Sequence, residues 1–164
     1  PLVGMETGIP MVMRKPDGKM TLANFMQMQL YSALGAMAIG METLQEEKVQ
    51  IEDICGHGGF FKTEFVGANA MSAALNAPIT VMKNAGEGGA WGIAVLAAYS
   101  VNKEDGELFP DYLDNKIFAS QKMTTLAPDK AIVDSFNLFM KSFKKGLDVE
   151  RAAIDFLDEE DDNE

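Results

Sequence analysis

The sequence predicts an α/β fold in which parallel strands are joined by crossover helices, with further helices at the C-terminal end. Three observations lead there. Two short apolar segments, Ile51 to Cys55 and Ile79 to Met82, each run into a glycine-rich turn and then a helical pattern. That order, met twice, is the βαβ grammar of a parallel sheet with right-handed crossovers. The composition, 47% apolar and 24% charged over 164 residues, suits one ordinary domain with one core.

Taken in order, Ile9 to Met13 is a short strand candidate, closed by the turn Lys15-Pro16-Asp17-Gly18. Thr21 is placed to cap a helix. Leu22, Met26, Leu30, Ala33, Leu34, Met37, Met41 and Leu44 follow in steps of three and four, one stripe reaching about Lys48. At 1.5 Å per residue this helix is roughly 40 Å long. The strand Ile51 to Cys55 ends in Gly56-His57-Gly58-Gly59, and a helix is expected from about Glu64 to Leu75. Asn76-Ala77-Pro78 stops it, because the residue before proline resists helix. The second strand, Ile79 to Met82, leads into Asn84-Ala85-Gly86-Glu87-Gly88-Gly89 and a helix from Ala90 to about Val101. Trp91, Ile93, Val95 and Leu96 make it apolar nearly all round, which predicts deep burial.

The remainder reads as helical and peripheral. Pro110 and Pro128 fit the first turns of two helices. The second carries Ile132, Phe136, Phe139, Met140 and Phe143 and is expected to stop at Gly146. Asp148 would cap a last helix with Val149, Ala152, Ala153 and Phe156. Residues 158–164 read as an acidic disordered tail.

Charge and composition exclude several functions. Lys+Arg is 14 against Asp+Glu 25, a net charge of -11, and the last seven residues hold six of the acids. Without them 14 cations face 19 acids, or -5. Such a surface repels phosphate backbones, so no nucleic-acid partner is expected, although a single nucleotide in a pocket remains allowed. One cysteine rules out an internal disulfide or a Cys-cluster metal site. One histidine rules out any site needing two imidazoles. No apolar run is long enough to span a bilayer as a helix, and no membrane partner is expected. The chain opens on Pro1-Leu2-Val3-Gly4 with neither Met nor a signal-like segment, so it reads as a piece of something longer, and a cytoplasmic location is the expectation.

The two glycine loops are the constellation that can carry function. Both fall at the C-terminal ends of expected parallel strands, where open α/β sheets bind ligands. Gly58 and Gly59 permit a sharp turn and close approach of backbone to a flat ring or a phosphate. The plain alternative is that such turns only join strand to helix. Neither loop is a standard phosphate motif. The second lacks Lys-Ser/Thr, and the first lacks the last glycine of the dinucleotide fingerprint. Glu87 would repel a phosphate unless a cation lay between them. The loops therefore suit an adenine or ribose better than a triphosphate tail. His57 can serve as a base by its chemistry, but no acid or nucleophile is identifiable beside it. Cys55 reads as an inert core thiol. The 12 methionines read as core filling, or as a contact surface for a protein partner. No catalytic residue and no metal ligand is identified.

The ordered set Thr21-Leu22-Ala23-Asn24-Phe25, Gly56-His57-Gly58-Gly59-Phe60-Phe61-Lys62-Thr63, Ala74-Leu75-Asn76-Ala77-Pro78 and Gly86-Glu87-Gly88-Gly89-Ala90-Trp91-Gly92-Ile93-Ala94 resembles the C-terminal domain of FGGY-family carbohydrate kinases, nearest the xylulokinase-like branch. The likeness covers roughly residues 20–157. It implies an actin-like (ribonuclease H-like) ATPase fold, with residues 1–157 as one nucleotide-binding domain and the catalytic N-terminal domain absent from this chain. That topology asks for three antiparallel strands before the long helix, and residues 1–20 supply one or at most two. The missing strands would leave an exposed sheet edge.

The resemblance implies that Gly58 and Gly59 grip adenosine, that Gly88 and Gly89 begin the last core helix beside it, and that Thr63, with Lys62 as its rival, is the polar adenine contact. Phe60 and Phe61 stand where the family often has small or polar residues, a departure that either sets an aromatic beside the base or shifts the correspondence by one residue. The implied reaction moves the ATP γ-phosphoryl group to a sugar hydroxyl, xylulose being the expected ketopentose, with ATP and Mg²⁺ as cofactors. The family's Asp-x-Gly-Thr/Ser phosphate loop does not occur here, so the metal and most of the sugar site are expected on the missing domain and the chain alone should be inactive. A homodimer is left open. Two other classes stand beside this one: a non-enzymatic interaction module using Met-rich helices and the acidic tail, and a small complete enzyme with His57 as base.

Overall fold

A computed structural model describes residues 4–51, 54–63, 65–82, 87–119 and 121–158. Asn84, Ala85 and Gly86 of the second loop, Glu64 at the expected helix start, and residues 159–164 of the expected tail lie outside the described residues. The chain forms two compact units. One comprises the residues up to Gln50, Ala73–Asn76 and those from Asp129 on; the other comprises Ile51–Ser72 and Ala77–Pro128.

The first unit is built on two long helices. α1 spans Leu22–Glu46, and Thr21 caps it as expected, its Oγ1 accepting from the Asn24 amide at 3.1 Å. α5 runs without a break over Lys130–Asp158. Its start is capped by Asp129, whose carboxylate accepts from the amides of Ala131 and Ile132 at 2.8 and 3.1 Å, so Pro128 stands outside the first turn. The expected stop at Gly146 does not occur. A glycine inside a helix costs only about 1 kcal/mol, which the aromatic core preceding it outweighs. The Asp148 carboxylate accepts from Arg151 at 3.0 Å instead of capping a new helix.

α1 packs on α5. The buried face of α1 is Tyr31, Leu34, Gly35 and Ala38, rotated from the expected stripe, and Leu22 is 77% exposed. Close packing explains the rotation. The Tyr31 ring meets Phe136 edge-on at 5.1 Å and Phe139 at 5.5 Å. Gly35 admits the Phe143 ring so closely that a Cβ there would lie 2.7 Å from it. Small residues, not the largest apolar ones, decide which side faces the neighbour.

Residues 9–13 form no strand. The turn that follows is as expected, with the Gly18 amide on the Lys15 carbonyl at 3.0 Å. Ile9 donates its amide to the Glu150 carboxylate at 3.2 Å, and Pro10 has no amide to give. A short apolar run becomes a strand only where another strand receives its hydrogen bonds, and none does among the described residues before α1.

The second unit holds a three-stranded sheet ordered β1 (Cys55–Gly56), β2 (Ile79–Met82), β3 (Met123–Leu126). β1 and β2 are parallel, Cys55 opposite Thr80 and Gly56 opposite Val81, with the helix α2 (Val66–Leu75) between them in sequence. The βαβ order is met there, but the first strand is Cys55–Gly56 and not Ile51 to Cys55: Ile51 and Ile54 are outside it, and Glu52 and Asp53 lie outside the described residues. β3 runs antiparallel to β2, with Ile79 opposite Leu126, so the sheet is mixed. Its segment was expected among peripheral helices. A run of four residues is too short for periodicity to identify; pairing with β2 makes it a strand, helped by Thr80 and Thr125, whose hydroxyls bond at 2.9 Å.

α3 covers Gly88–Asn102, and only Val95 is buried on it. The expectation of deep burial fails: Ile93 is 72% exposed and Val101 80%. Hydrophobicity all round a helix does not by itself supply neighbours on every side. α4 (Phe109–Tyr112) has Pro110 in its first turn, as expected, and continues into a π-helical turn over Leu113–Phe118. Tyr99 anchors it to α3, its ring 4.9 Å from Phe109 and 5.2 Å from Tyr112, its hydroxyl donating to the Glu107 carbonyl at 2.8 Å.

Candidate nucleotide site

The site lies wholly in the second unit, at the C-terminal ends of β1 and β2. Gly56 is buried beneath the Phe61 ring, which occupies the place a Cβ would take. The chain then turns at Gly58, whose φ of +100° is open to glycine and strained for any other residue. Gly59–Phe61 forms a single 3₁₀ turn, with Phe61 and Lys62 donating to the carbonyls of Gly58 and Gly59 at 3.1 Å. The Phe60 carbonyl and ring press on Gly67 in the first turn of α2, where only glycine fits. The two adjacent rings stand edge to face at 5.6 Å. Phe60 is thus committed to holding the loop on α2, a task no sequence motif announces.

The second glycine loop meets the first. Gly88 is the first residue of α3, and a Cβ there would lie 3.0 Å from the Cβ of His57 and 3.1 Å from its Nδ1. Glu87 reaches the other way, to Lys62 Nζ at 2.7 Å. Lys62 is the cation that Glu87 requires if an anion is to approach. Among the described residues, Gly58, Gly59 and Gly89 have no other atom within 4 Å of where a Cβ would stand. Six residues named from sequence therefore divide. Gly58, Gly59, Gly88 and Gly89 sit on two touching loops, Phe60 braces them, and Thr63 lies past the turn.

Beside the turn is a pocket of about 500 Å³, a size typical of small-molecule sites. Phe61, Lys62, Thr63 and Phe65 line it from the loop, Ala68 from α2, Val81 and Met82 from β2, Thr124 and Leu126 from β3, and Lys122 from just before β3. Both rival adenine contacts, Thr63 and Lys62, thus open on one pocket, and the glycines lie outside its lining. The β3 residues had no signal in the sequence, because β3 itself had none. Cys55 is exposed on the edge strand, against the expectation of a core thiol.

No helix among the described residues is long and apolar enough to cross a membrane. The described residues bring no three His, Cys, Asp or Glu side chains together, and Glu87 is engaged by Lys62, so they do not fit a Mg²⁺ site.

Comparison with family models matches residues 2–101 to the FGGY family of carbohydrate kinases, C-terminal domain. The match starts at residue 2 and ends in the last turn of α3, an earlier span than the 20–157 marked by the sequence resemblance. Comparisons with curated proteins and with solved structures return no match. Kinases of this family are transferases with a ribonuclease H-like, actin-like ATPase domain; they bind a nucleotide and a sugar, and use ATP and Mg²⁺. With well over half its length matched, and with α1, both glycine loops and α3 inside the matched span, the chain belongs to the FGGY family of carbohydrate kinases and carries its C-terminal domain.

Proposed function

We propose that this chain is the adenosine-holding part of an ATP-dependent sugar kinase whose catalytic machinery lies on a separate N-terminal domain. Gly58 and Gly59 supply the surface on which the base and ribose rest, Gly88 and Gly89 close it from the start of α3, and Thr63 or Lys62 reads the edge of the base. The single observation that carries this reading is the contact of the two loops, Gly88 against His57, inside the family-matched span. Glycine where ligand backbone contact is needed, and free amides at the start of a helix, are what such a site requires. ATP would supply the phosphoryl group and Mg²⁺ would offset its charge. The described residues of this chain bind and orient; they transfer nothing.

The sugar is proposed to be a ketopentose such as xylulose, on the sequence likeness to the xylulokinase-like branch, and the location cytoplasmic. Residues 1–157 would form the domain, 158–164 its acidic tail. Adding ADP to the ¹⁵N-labelled chain should move the amide signals of Gly58 and Gly59, weakly, since half the clamp belongs elsewhere. No movement at millimolar ADP refutes the site. The chain alone should leave xylulose unphosphorylated, and joined to its upstream domain should phosphorylate it.

A second reading rests on exposed methionines: Met11, Met13, Met20 and Met26 all lie open on the first unit. Flexible thioethers suit a docking surface. In that reading the chain binds a protein partner, a second copy included, and light scattering of the pure chain reports a dimer.

A further inference from the structure

We infer that Lys122 is a phosphate-binding residue of this site and sets its preference for nucleotides over nucleosides. The inference rests on the adenosine reading above and adds a residue that lies beyond the family-matched span. Lys122, immediately before β3, and Thr124, on β3, line the same pocket as Lys62 and Thr63. Val81 and Met82 line it from β2. Among the described residues, no carboxylate lines this pocket. Of its two ammonium groups, Lys62 is paired with Glu87 at 2.7 Å, and among the described residues Lys122 pairs with none.

Among the described residues, the pocket therefore offers one uncompensated positive charge and two hydroxyl groups beside the glycine turn. A nucleotide whose base and ribose rest on the Gly58–Gly59 turn and whose phosphate reaches into the pocket satisfies both. A neutral nucleoside would leave the Lys122 charge unanswered. The α-phosphate of a nucleotide would accept from its ammonium and from a threonine hydroxyl, a charge-assisted contact of the stronger kind. Lys62 does not serve equally, because an anion there must first displace Glu87.

The test is a titration of the 164-residue chain with adenosine, AMP and ADP, read from the amides of Gly58 and Gly59 and the methyl of Met82. AMP and ADP should bind about fivefold tighter than adenosine at low ionic strength, the size of one rim charge contact. The preference should fade with added salt. Lys122→Ala should abolish it and leave adenosine affinity unchanged; Lys122→Arg should restore it. Lys122 is exposed, so both variants should keep the native amide spectrum. Lys122→Ala with the preference intact overturns the inference, and so does equal affinity for adenosine and AMP in the native chain. If the glycine signals stay still with all three ligands, the adenosine reading falls and Lys122 with it. If they respond but do not depend on Lys122, only the present inference falls.

Discussion

The two units use glycine for opposite ends. In the helix pair, Gly35 is filled from across: the Phe143 ring rests where a side chain would begin. In the loop unit, Gly58, Gly59 and Gly89 have no neighbour among the described residues within 4 Å of that point. The first kind of glycine serves packing density, and any added atom must push something. The second kind serves no internal contact at all, so its reason lies in backbone conformation or in a ligand. The missing side chain alone does not tell the two apart; its surroundings do. Gly56 and Gly67 show that the site unit has both kinds, since phenylalanine side chains occupy their free sides.

The largest effect expected of a single change lies in the helix pair. Phe136 is 1% exposed and meets the Tyr31 ring, so Phe136→Ala should cost about 3–5 kcal/mol in urea unfolding. Next is Gly35→Ala, which drives a methyl into the Phe143 ring and should cost about 1–3 kcal/mol. If it costs nothing, the helices do not approach as described. Gly58→Ala meets no atom, yet its φ of +100° should still cost about 1–2 kcal/mol. The sharpest contrast with Gly35 is at Gly59 and Gly89. Alanine at either should leave the unfolding midpoint within about 0.5 kcal/mol of native, while weakening the response of the loop amides to ADP. A stable variant with undiminished ADP response would show that these glycines serve only the chain's own turns.

The smallest effect concerns acid. The Glu107 carboxylate is held below its ordinary value of 4.5, chiefly by the amide of Glu104 that it accepts at 2.9 Å, and also by Lys116. A depressed carboxylate stabilises the fold above its unfolded pKa, and the benefit is lost as pH falls through the lower folded value. Glu107→Gln should thus lower stability slightly at pH 7 and flatten the acid slope below about pH 4.5. The partner Lys116 is 35% exposed, so solvent screens the pair and keeps this small.

Sequence carried the local grammar well and the long-range pairing poorly. Thr21 as cap, the Lys15–Gly18 turn, β2 and the parallel β1–β2 pair follow from residue chemistry within a few positions of each element. Residues 9–13 and 123–126 have equally short apolar or β-prone runs, yet only the second became a strand, because β2 lay ready to receive its hydrogen bonds. Such a choice is made by a partner some forty residues away. Gly146 taught the same in reverse: a helix stop signal loses when aromatic residues earlier in the same helix are already fixed against another. At the site, the two loops were legible because backbone freedom is written as glycine. Lys122 and Thr124 were not, since only the pairing of Met123–Leu126 with β2 sets this segment beside the pocket.

The third strand has a practical bearing on how gene fragments of this kind are trimmed. Cutting after position 101, where likeness to the family ends, would leave β2 with a bare row of amides and carbonyls on one side and strip a wall from the pocket. A clone so shortened should clump through its raw margin, and its failure to hold a ligand would say nothing about the intact chain.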